Sequence, residues 1–158
     1  MKMTRRKVLT TTRVKKKFDR QLYNMVNQKS VDAGKKYLKS IGHRITSTKE
    51  DMKVDIRSSK DGKQYLTEVE VKLVWDGEWP KHWKDIQLSE RKRRLINYAR
   101  NKEKDLCFLI FNKSFTSAWK IDSNILDDCE LREVPNRFVS KGEYFFIVPT
   151  EKAELITL

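Results

Sequence analysis

The sequence predicts an α/β protein with a mixed (α+β) sheet, and three observations support the prediction. Apolar residues recur at helical spacing over residues 18–41 and predict an opening helical region. Two strand-like stretches, residues 52–58 and 64–75, flank an Asp-Gly pair, which predicts an antiparallel hairpin. A helical stretch and a uniformly apolar strand follow, and the order strand, helix, buried strand favours a parallel neighbour.

The opening helical region is expected to divide near residues 27–30 and to end at Gly42. Ser30 has a side chain that can cap a second helix, and glycine tolerates the left-handed conformation that follows a helix end. Residues 43–48 then predict a first strand at the edge of the sheet.

The second strand of the hairpin alternates charged and apolar residues. In an extended chain Glu68, Glu70 and Lys72 share one face. Asp55, in the first strand, can approach Glu70 across the pair. These charges stand where Thr, Tyr or Ser would serve a purely structural face, so we interpret this face as a candidate site.

The remaining elements follow from the same periodicities. Residues 86–101 predict a helix in which apolar positions recur among basic ones. Residues 105–112 predict a buried strand, because they are too uniformly apolar for a half-exposed one. The rest predicts a strand over residues 115–121, a short helix or turn over 123–128, a last strand over 144–148 and a tail packed on the sheet edge.

Composition indicates one domain with a polyanionic partner. A chain of 158 residues with 38% hydrophobic residues can bury a core of its own. Lys and Arg number 35 against 22 acidic residues, a formal net charge of +13, and such an excess favours nucleic acid. A basic structural protein of a ribosome-like assembly, or a need for solubility, would have the same charge.

Residues 1–17 are basic and contain no acidic residue. They include Lys15, Lys16 and Lys17 and predict an arm that lies along phosphates, while residues 18–158 form the single folded domain. A disordered, solubilising terminus fits the same composition, and so does an organelle transit peptide.

Two further stretches are candidates for nucleic-acid contact. Arg91, Arg93 and Arg94 cover much of the predicted basic helix, although a solvated basic face is an equal alternative. Trp79 and Trp83 belong to a predicted loop with three tryptophans in nine residues. We favour capping of the core for these rings, with stacking on bases or packing across a subunit interface as alternatives.

The sequence favours an intracellular, cytoplasmic protein. No apolar run approaches the roughly 20 residues that cross a bilayer, and the first residues lack the apolar centre of a secretory signal. Cys107 and Cys129 show neither a pairing nor a metal-binding pattern, and Cys107 lies in an apolar run as a small buried residue.

Asp55, Glu70 and Lys72 together suit the hydrolysis of a phosphodiester. Two carboxylates can hold Mg²⁺, which supplies charge and activates bound water, and the carbonyl of Val71 is a further candidate ligand. The lysine can orient that water or stabilise the developing charge. The spacing alone is a weak signal, because a ladder of salt bridges on a solvated sheet face would look the same.

The order helix, strand, Asp-bearing strand, Glu-Val-Lys strand, basic helix and buried strand covers residues 18–121. In this order the chain resembles the PD-(D/E)XK nuclease superfamily, whose restriction-endonuclease-like fold has an αβββαβ core with flanking helices. The resemblance implies that Asp55 and Glu70 bind Mg²⁺, with Mn²⁺ able to substitute. It also implies that Lys72 assists the attacking water.

Three secondary candidates come from the same resemblance. Asp19 would be the acidic residue that many members add from the first helix, and Gln87 the glutamine that some carry on the helix after the lysine strand. Glu68 would serve a second metal ion or, as we favour, form a salt bridge to Arg57 or Lys53.

The predicted function is that of a Mg²⁺-dependent DNA endonuclease. Small, basic chains of this kind resemble homing endonucleases, phage-type DNA-processing nucleases and Holliday-junction resolvases. The need for two active sites implies a homodimer or a higher homo-oligomer, and a phage-encoded enzyme would act in the host cytoplasm. The alternatives are a non-catalytic nucleic-acid-binding module, which uses the same basic helix and arm, and a structural or assembly protein.

Overall fold

The computed structural model of the chain describes residues 20–46, 54–135 and 142–158. The helices in these ranges are α1 (Arg20–Ser40) and α2 (Arg93–Asn101). The strands are β1 (Arg44–Ile45), β2 (Ile56–Lys60), β3 (Lys63–Val71), β4 (Asp85–Ser89), β5 (Asp105–Phe111), β6 (Ser117–Asp122), β7 (Glu130–Val134), β8 (Glu143–Pro149) and β9 (Glu154–Thr157). Neither α1 nor α2 is long and apolar enough to cross a membrane.

Six strands form the larger sheet, in the order β1-β2-β3-β5-β6-β9. β3 and β5 run parallel, whereas the other neighbouring pairs in this sheet are antiparallel, so the sheet is mixed. β4, β8 and β7 form a second, antiparallel sheet. The predicted α+β class with a mixed sheet is therefore confirmed. Its αβββαβ order is present as α1, β1, β2, β3, α2 and β5, with β4 inserted, and is consistent with a restriction-endonuclease-like fold.

Two hydrophobic cores lie on opposite faces of the larger sheet. One core is between this sheet, the smaller sheet and α2, and Phe108, Ile86 and Phe146 are fully buried in it. The other is between the sheet and α1, around Leu38 and Phe111. The uniformly apolar β5 contributes to both cores, which confirms the prediction of a buried strand.

α1 is one continuous helix, so the expected division near residues 27–30 is wrong. Ser30 does not cap a second helix. It is buried, and its hydroxyl donates to the carbonyl of Val26 at 2.7 Å, which satisfies the side chain within the helix. The predicted end is confirmed at Gly42, where φ is +97°.

Gly34 lets α1 approach the sheet closely. A Cβ atom at this position would lie 2.8 Å from Cδ1 of Ile56 and 3.0 Å from Cγ1 of Val69. Since Ile56 is in β2 and Val69 is in β3, the helix is seated directly on the hairpin. This contact sets the distance between α1 and the charged end of β3.

The hairpin predicted from the Asp-Gly pair is confirmed. β2 and β3 are antiparallel, and Asp61 and Gly62 both have positive φ, as a type I′ turn requires. The register, which the sequence left open, pairs Ile56 with Thr67 and so places Asp55 opposite Glu68. The predicted first strand is present as β1 at the sheet edge, although residues 47–53 lie outside the described ranges.

The helix predicted over residues 86–101 is wrong in its first half. Asp85–Ser89 form strand β4, Glu90–Lys92 form a 3-10 turn, and only Arg93–Asn101 form α2. Ile86 and Leu88 are buried while Gln87 between them is exposed, which is the two-residue period of a strand.

The C-terminal third largely follows the prediction. β6, the 3-10 turn Ser123–Asp128 and β8 match the expected strand, turn and strand. β8 is not the last strand, however, because β9 follows and pairs with β6. The expected packing of the tail on the sheet edge is therefore confirmed.

Candidate active site

A cleft of about 510 Å³ opens between the N-terminal half of α1 and the end of β3. Thr67 is the last β3 residue paired with β2, so residues 68–71 run past the end of their neighbour on that side. The lining residues are Leu22, Tyr23, Val26, Asn27, Ser30, Asp55, Glu68, Val69, Glu70, Val71, Leu73 and Lys92. The predicted carboxylates therefore meet in one cavity.

Asp55 is held against β3 by two backbone hydrogen bonds. Its Oδ2 accepts from the N–H of Val69 at 3.0 Å, and its own N–H donates to Oε1 of Glu68 at 3.3 Å. Asp55 precedes β2, so these bonds continue the attachment of the hairpin where the strand pairing ends. The carboxylate of Asp55 is thus bound to the backbone of Val69, the residue that precedes Glu70.

Glu68 is the most perturbed acid of the cleft. The pKa of Glu68 is raised to about 7, first by burial and then by the nearby Asp55, while Lys92 opposes the rise. The Nζ of Lys92 lies 3.2 Å from Oε2 of Glu68. Glu68 therefore has the salt bridge that the sequence predicted for it, but the partner is Lys92. Arg57 donates instead to the hydroxyl of Tyr98 at 2.8 Å, and Lys53 lies outside the described ranges.

Glu70 lines the same cleft and is largely buried. Burial raises the pKa of Glu70, and Lys92 and then Lys72 oppose the rise. Among the described residues, none forms a hydrogen bond or an ion pair with this carboxylate. A buried carboxylate without a protein partner is costly unless a ligand satisfies it.

The cleft offers oxygen donors that suit a hard divalent cation. Asp55 and Glu70 are the two predicted carboxylate ligands, and Val71, whose carbonyl is the third predicted ligand, also lines the cleft. In the described part of the chain no three His, Cys, Asp or Glu side chains group as a metal site. Mg²⁺ usually retains several waters and takes only one or two protein carboxylates, so this donor set fits Mg²⁺ better than a metal that needs a full protein cage.

The two lysines near Glu70 border different cavities. Lys92 lines the acidic cleft, whereas Lys72 lines a neighbouring groove of about 280 Å³ together with Trp79, Trp83 and Gln87. In the sequence Lys92 is one member of the basic series at residues 91–94. The number of residues between Lys92 and β3 does not predict that Lys92 lines the cleft. A turn and the second sheet return the chain to the cleft.

The tryptophan loop caps the core at its inner end. Trp75 is fully buried, which confirms the favoured interpretation for this ring. Trp79 is half-buried and packs edge-on to Trp75 at 5.1 Å and to Trp83 at 5.0 Å, and its Nε1 donates to the carbonyl of Trp83 at 2.8 Å. Trp79 and Trp83 therefore form the rim of the groove that Lys72 lines.

The other predicted site residues are dispersed. Gln87 is exposed on β4 and not on a helix, so its expected location is wrong. Arg91 pairs with Glu143 at 2.7 Å and Arg93 with Glu90 at 3.4 Å, while for exposed Arg94 the described ranges contain no ion-pair partner. The remaining candidates, Lys15, Lys16, Lys17 and Asp19, lie outside the described ranges.

The raised pKa of Glu68 predicts a pH-dependent stability. With a folded-state pKa of about 7 against an ordinary 4.5, the folded protein holds this proton more tightly than the unfolded chain. The associated stability is present below pH 4.5 and is lost as the pH rises through 7. In metal-free buffer, we expect the unfolding free energy of Glu68→Gln to gain about 2–3 kcal/mol relative to wild type between pH 4.5 and 8. Urea denaturation at both pH values measures this, and a difference that does not change with pH would contradict it.

Comparisons with known proteins leave the family open. No family model and no curated protein matches the chain. A similar solved structure is Hjc of Archaeoglobus fulgidus, a Holliday junction resolvase from an archaeal hyperthermophile. It is 11% identical, with a TM-score of 0.43, and the match covers 70% of this chain and 81% of that one. A likeness at this level assigns neither a family nor an activity to the chain.

Proposed function

We propose that this chain is a metal-dependent DNA endonuclease of the PD-(D/E)XK type, which hydrolyses phosphodiester bonds at the acidic cleft. The observation that supports this most strongly is Glu70. Its carboxylate is largely buried, has no protein partner in the described ranges, and lines the same cavity as Asp55, which a substrate can enter. A purely structural acid at such a position would be paired.

In this proposal Asp55 and Glu70, with the carbonyl of Val71, hold Mg²⁺ or Mn²⁺. When bound, the ion neutralises phosphate charge and makes a bound water more acidic. The hydrogen bond from Val69 N–H to Asp55 keeps that carboxylate in place without using a side chain. Lys92 and Lys72 both act electrostatically on Glu70. Their ammonium groups are available to donate to a phosphate oxygen or to orient the attacking water.

The surroundings of the cleft support DNA as the substrate. The formal net charge of +13 attracts a polyanion, and exposed Arg94 lies two residues after Lys92. The groove lined by Lys72, Trp79 and Trp83 combines an ammonium with aromatic edges, which suits contact with a nucleotide strand. Lys15, Lys16 and Lys17 remain candidates for contacts along the backbone.

The proposal includes cleavage of both strands by two copies of the chain. One cleft serves one phosphodiester, so a homodimer is the simplest assembly for a homing, DNA-processing or junction-resolving enzyme. A cytoplasmic location, in the host if the enzyme is phage-encoded, belongs to the same proposal.

A cleavage assay with a panel of DNAs tests this function. We expect the purified protein to cut at least one of duplex, branched or single-stranded DNA in Mg²⁺ or Mn²⁺, and to cut none in EDTA. Light scattering of the protein–DNA complex would report a dimer. Failure to cut any member of the panel with either ion, by protein that binds DNA, would overturn the proposal.

A non-catalytic nucleic-acid-binding module is the second candidate. It is favoured by the absence, within the described residues, of three grouped metal-ligating side chains, and by the salt bridge that occupies Glu68. This module would bind DNA equally well with and without Mg²⁺, and its thermal stability would not respond to the ion.

A further inference from the structure

The geometry points to Lys92 as the lysine that acts on the reacting phosphate in the acidic cleft, while Lys72 contacts the DNA strand in the neighbouring tryptophan groove. This inference rests on the proposed nuclease function and reverses the role that the Glu-Val-Lys pattern implies for Lys72.

Lys92 and Lys72 lie in different cavities. Lys92 lines the cavity that contains Asp55, Glu68 and Glu70, and Lys72 lines the cavity that contains the tryptophan rim. Only 23% of the Lys92 side chain and 15% of the Glu68 side chain are exposed, so their contact at 3.2 Å is shielded from solvent.

The second sheet fixes the backbone of Lys92. Lys92 ends the 3-10 turn that follows β4, and the hydroxyl of Ser89 accepts from the N–H of Arg91 at its start. Arg91 pairs with Glu143 at 2.7 Å, which ties the turn to β8. The guanidinium of Arg93 lies 5.1 Å from the centre of the Phe146 ring. The second sheet therefore anchors the turn that bears Lys92.

The ammonium of Lys92 has more hydrogen-bond donors than its contact with Glu68 uses. An ammonium has three N–H donors, and the contact with Glu68 uses one of them. The remaining two can reach a non-bridging phosphate oxygen or the attacking water in the cleft. Glu68 thus acts as a positioning residue, since it holds the ammonium beside Glu70 without itself touching the phosphate.

The test separates the rate of cleavage from the affinity for DNA. We compare Lys92→Met and Lys72→Met on the DNA that wild type cuts, with Lys39→Met, at an exposed position near the end of α1, as the matched control. For Lys92→Met we expect the single-turnover rate constant to fall at least ~100-fold, the loss typical of a removed charge-stabilising donor. The Kd measured by fluorescence anisotropy in EDTA should stay within about threefold for that variant. For Lys72→Met we expect a weaker Kd as the larger effect, with a smaller fall in the single-turnover rate constant than Lys92→Met shows.

A double variant tests whether Lys92 has only a structural role. If Lys92 only neutralised Glu68, Lys92→Met/Glu68→Gln would cut as fast as Glu68→Gln alone, and that result would overturn the inference. This pair also serves if Lys92→Met fails to fold, because it leaves no buried carboxylate unpaired at position 68. Rescue by added ethylamine of Lys92→Ala, and not of Lys72→Ala, would support a direct role.

The outcomes also distinguish this inference from the proposed function. Suppose that wild type and Lys92→Met cut DNA and that Lys72→Met does not. The inference about Lys92 then fails, and the proposed nuclease function stands. If wild type itself cuts nothing, the proposed function fails and the inference fails with it.

Discussion

Glu70→Gln is expected to reduce Mg²⁺-dependent DNA cleavage by at least about 1,000-fold while DNA binding in EDTA persists. The substitution keeps the size of the side chain but removes the charge from the one cleft acid that has no protein partner in the described ranges. Because a buried charge is lost, the metal-free variant should be at least as stable as wild type. Single-turnover cleavage, anisotropy and thermal melting measure these three effects.

The melting temperature supplies an independent readout of the same site. Mg²⁺ or Mn²⁺ that binds only the folded protein should raise the melting temperature of wild type, and the rise should disappear in Glu70→Gln. Glu151→Gln, at an exposed position after β8, is the matched control and should cut and melt as wild type does. Cleavage by Glu70→Gln at the wild-type rate would show that the carboxylate is structural.

Gly34→Val is expected to lower the unfolding free energy by about 2–3 kcal/mol, because a Cβ at this position overpacks the helix–sheet contact. The added atom would lie 2.8 Å from Cδ1 of Ile56 and 3.0 Å from Cγ1 of Val69. The terminal methyl of the isoleucine can turn away, but the γ-methyl of Val69 is adjacent to a branched Cβ and has less freedom. Urea denaturation measures the loss.

The same substitution should also slow cleavage, since α1 forms one wall of the cleft. Lys36→Val, at an exposed position on the same helix, controls for a β-branched residue in the helix. Valine has a higher helix propensity than glycine, so propensity does not explain a loss of stability at Gly34. If both variants unfold at the same urea concentration, the close approach at Gly34 does not determine the seating of α1.

Much of the larger sheet could be predicted because its signals are local. The Asp-Gly turn at residues 61–62 requires positive φ and joins two strands whatever surrounds them. The uniformly apolar β5 must be covered on both faces, which indicates a central position next to a crossover. The alternation of Glu68 and Glu70 with apolar residues is also a local signal, and it predicts a charged strand face.

The errors arose where tertiary contacts outweigh the local pattern. Residues 86–89 are compatible with either a helix or a strand, and pairing of β4 with β8 selects the strand. Ser30 has the chemistry of a helix cap, but burial against the sheet favours its bond to the preceding turn. The sequence analysis left the register of the hairpin open, and the two-residue turn at Asp61 and Gly62 places Asp55 opposite Glu68.

Local patterns along the chain define a mixed α+β sheet, two carboxylates and a lysine around one strand, and a strongly basic surface. Periodicity and composition encode these properties, because they depend on neighbours along the chain. Which charges share a cavity depends instead on the packing of the two sheets and α1. This packing brought Lys92 to the acidic cleft through a second sheet, and it turned Lys72 towards the tryptophans. Contacts between residues far apart in the chain depend on how the sheets pack, and no spacing within one segment records that.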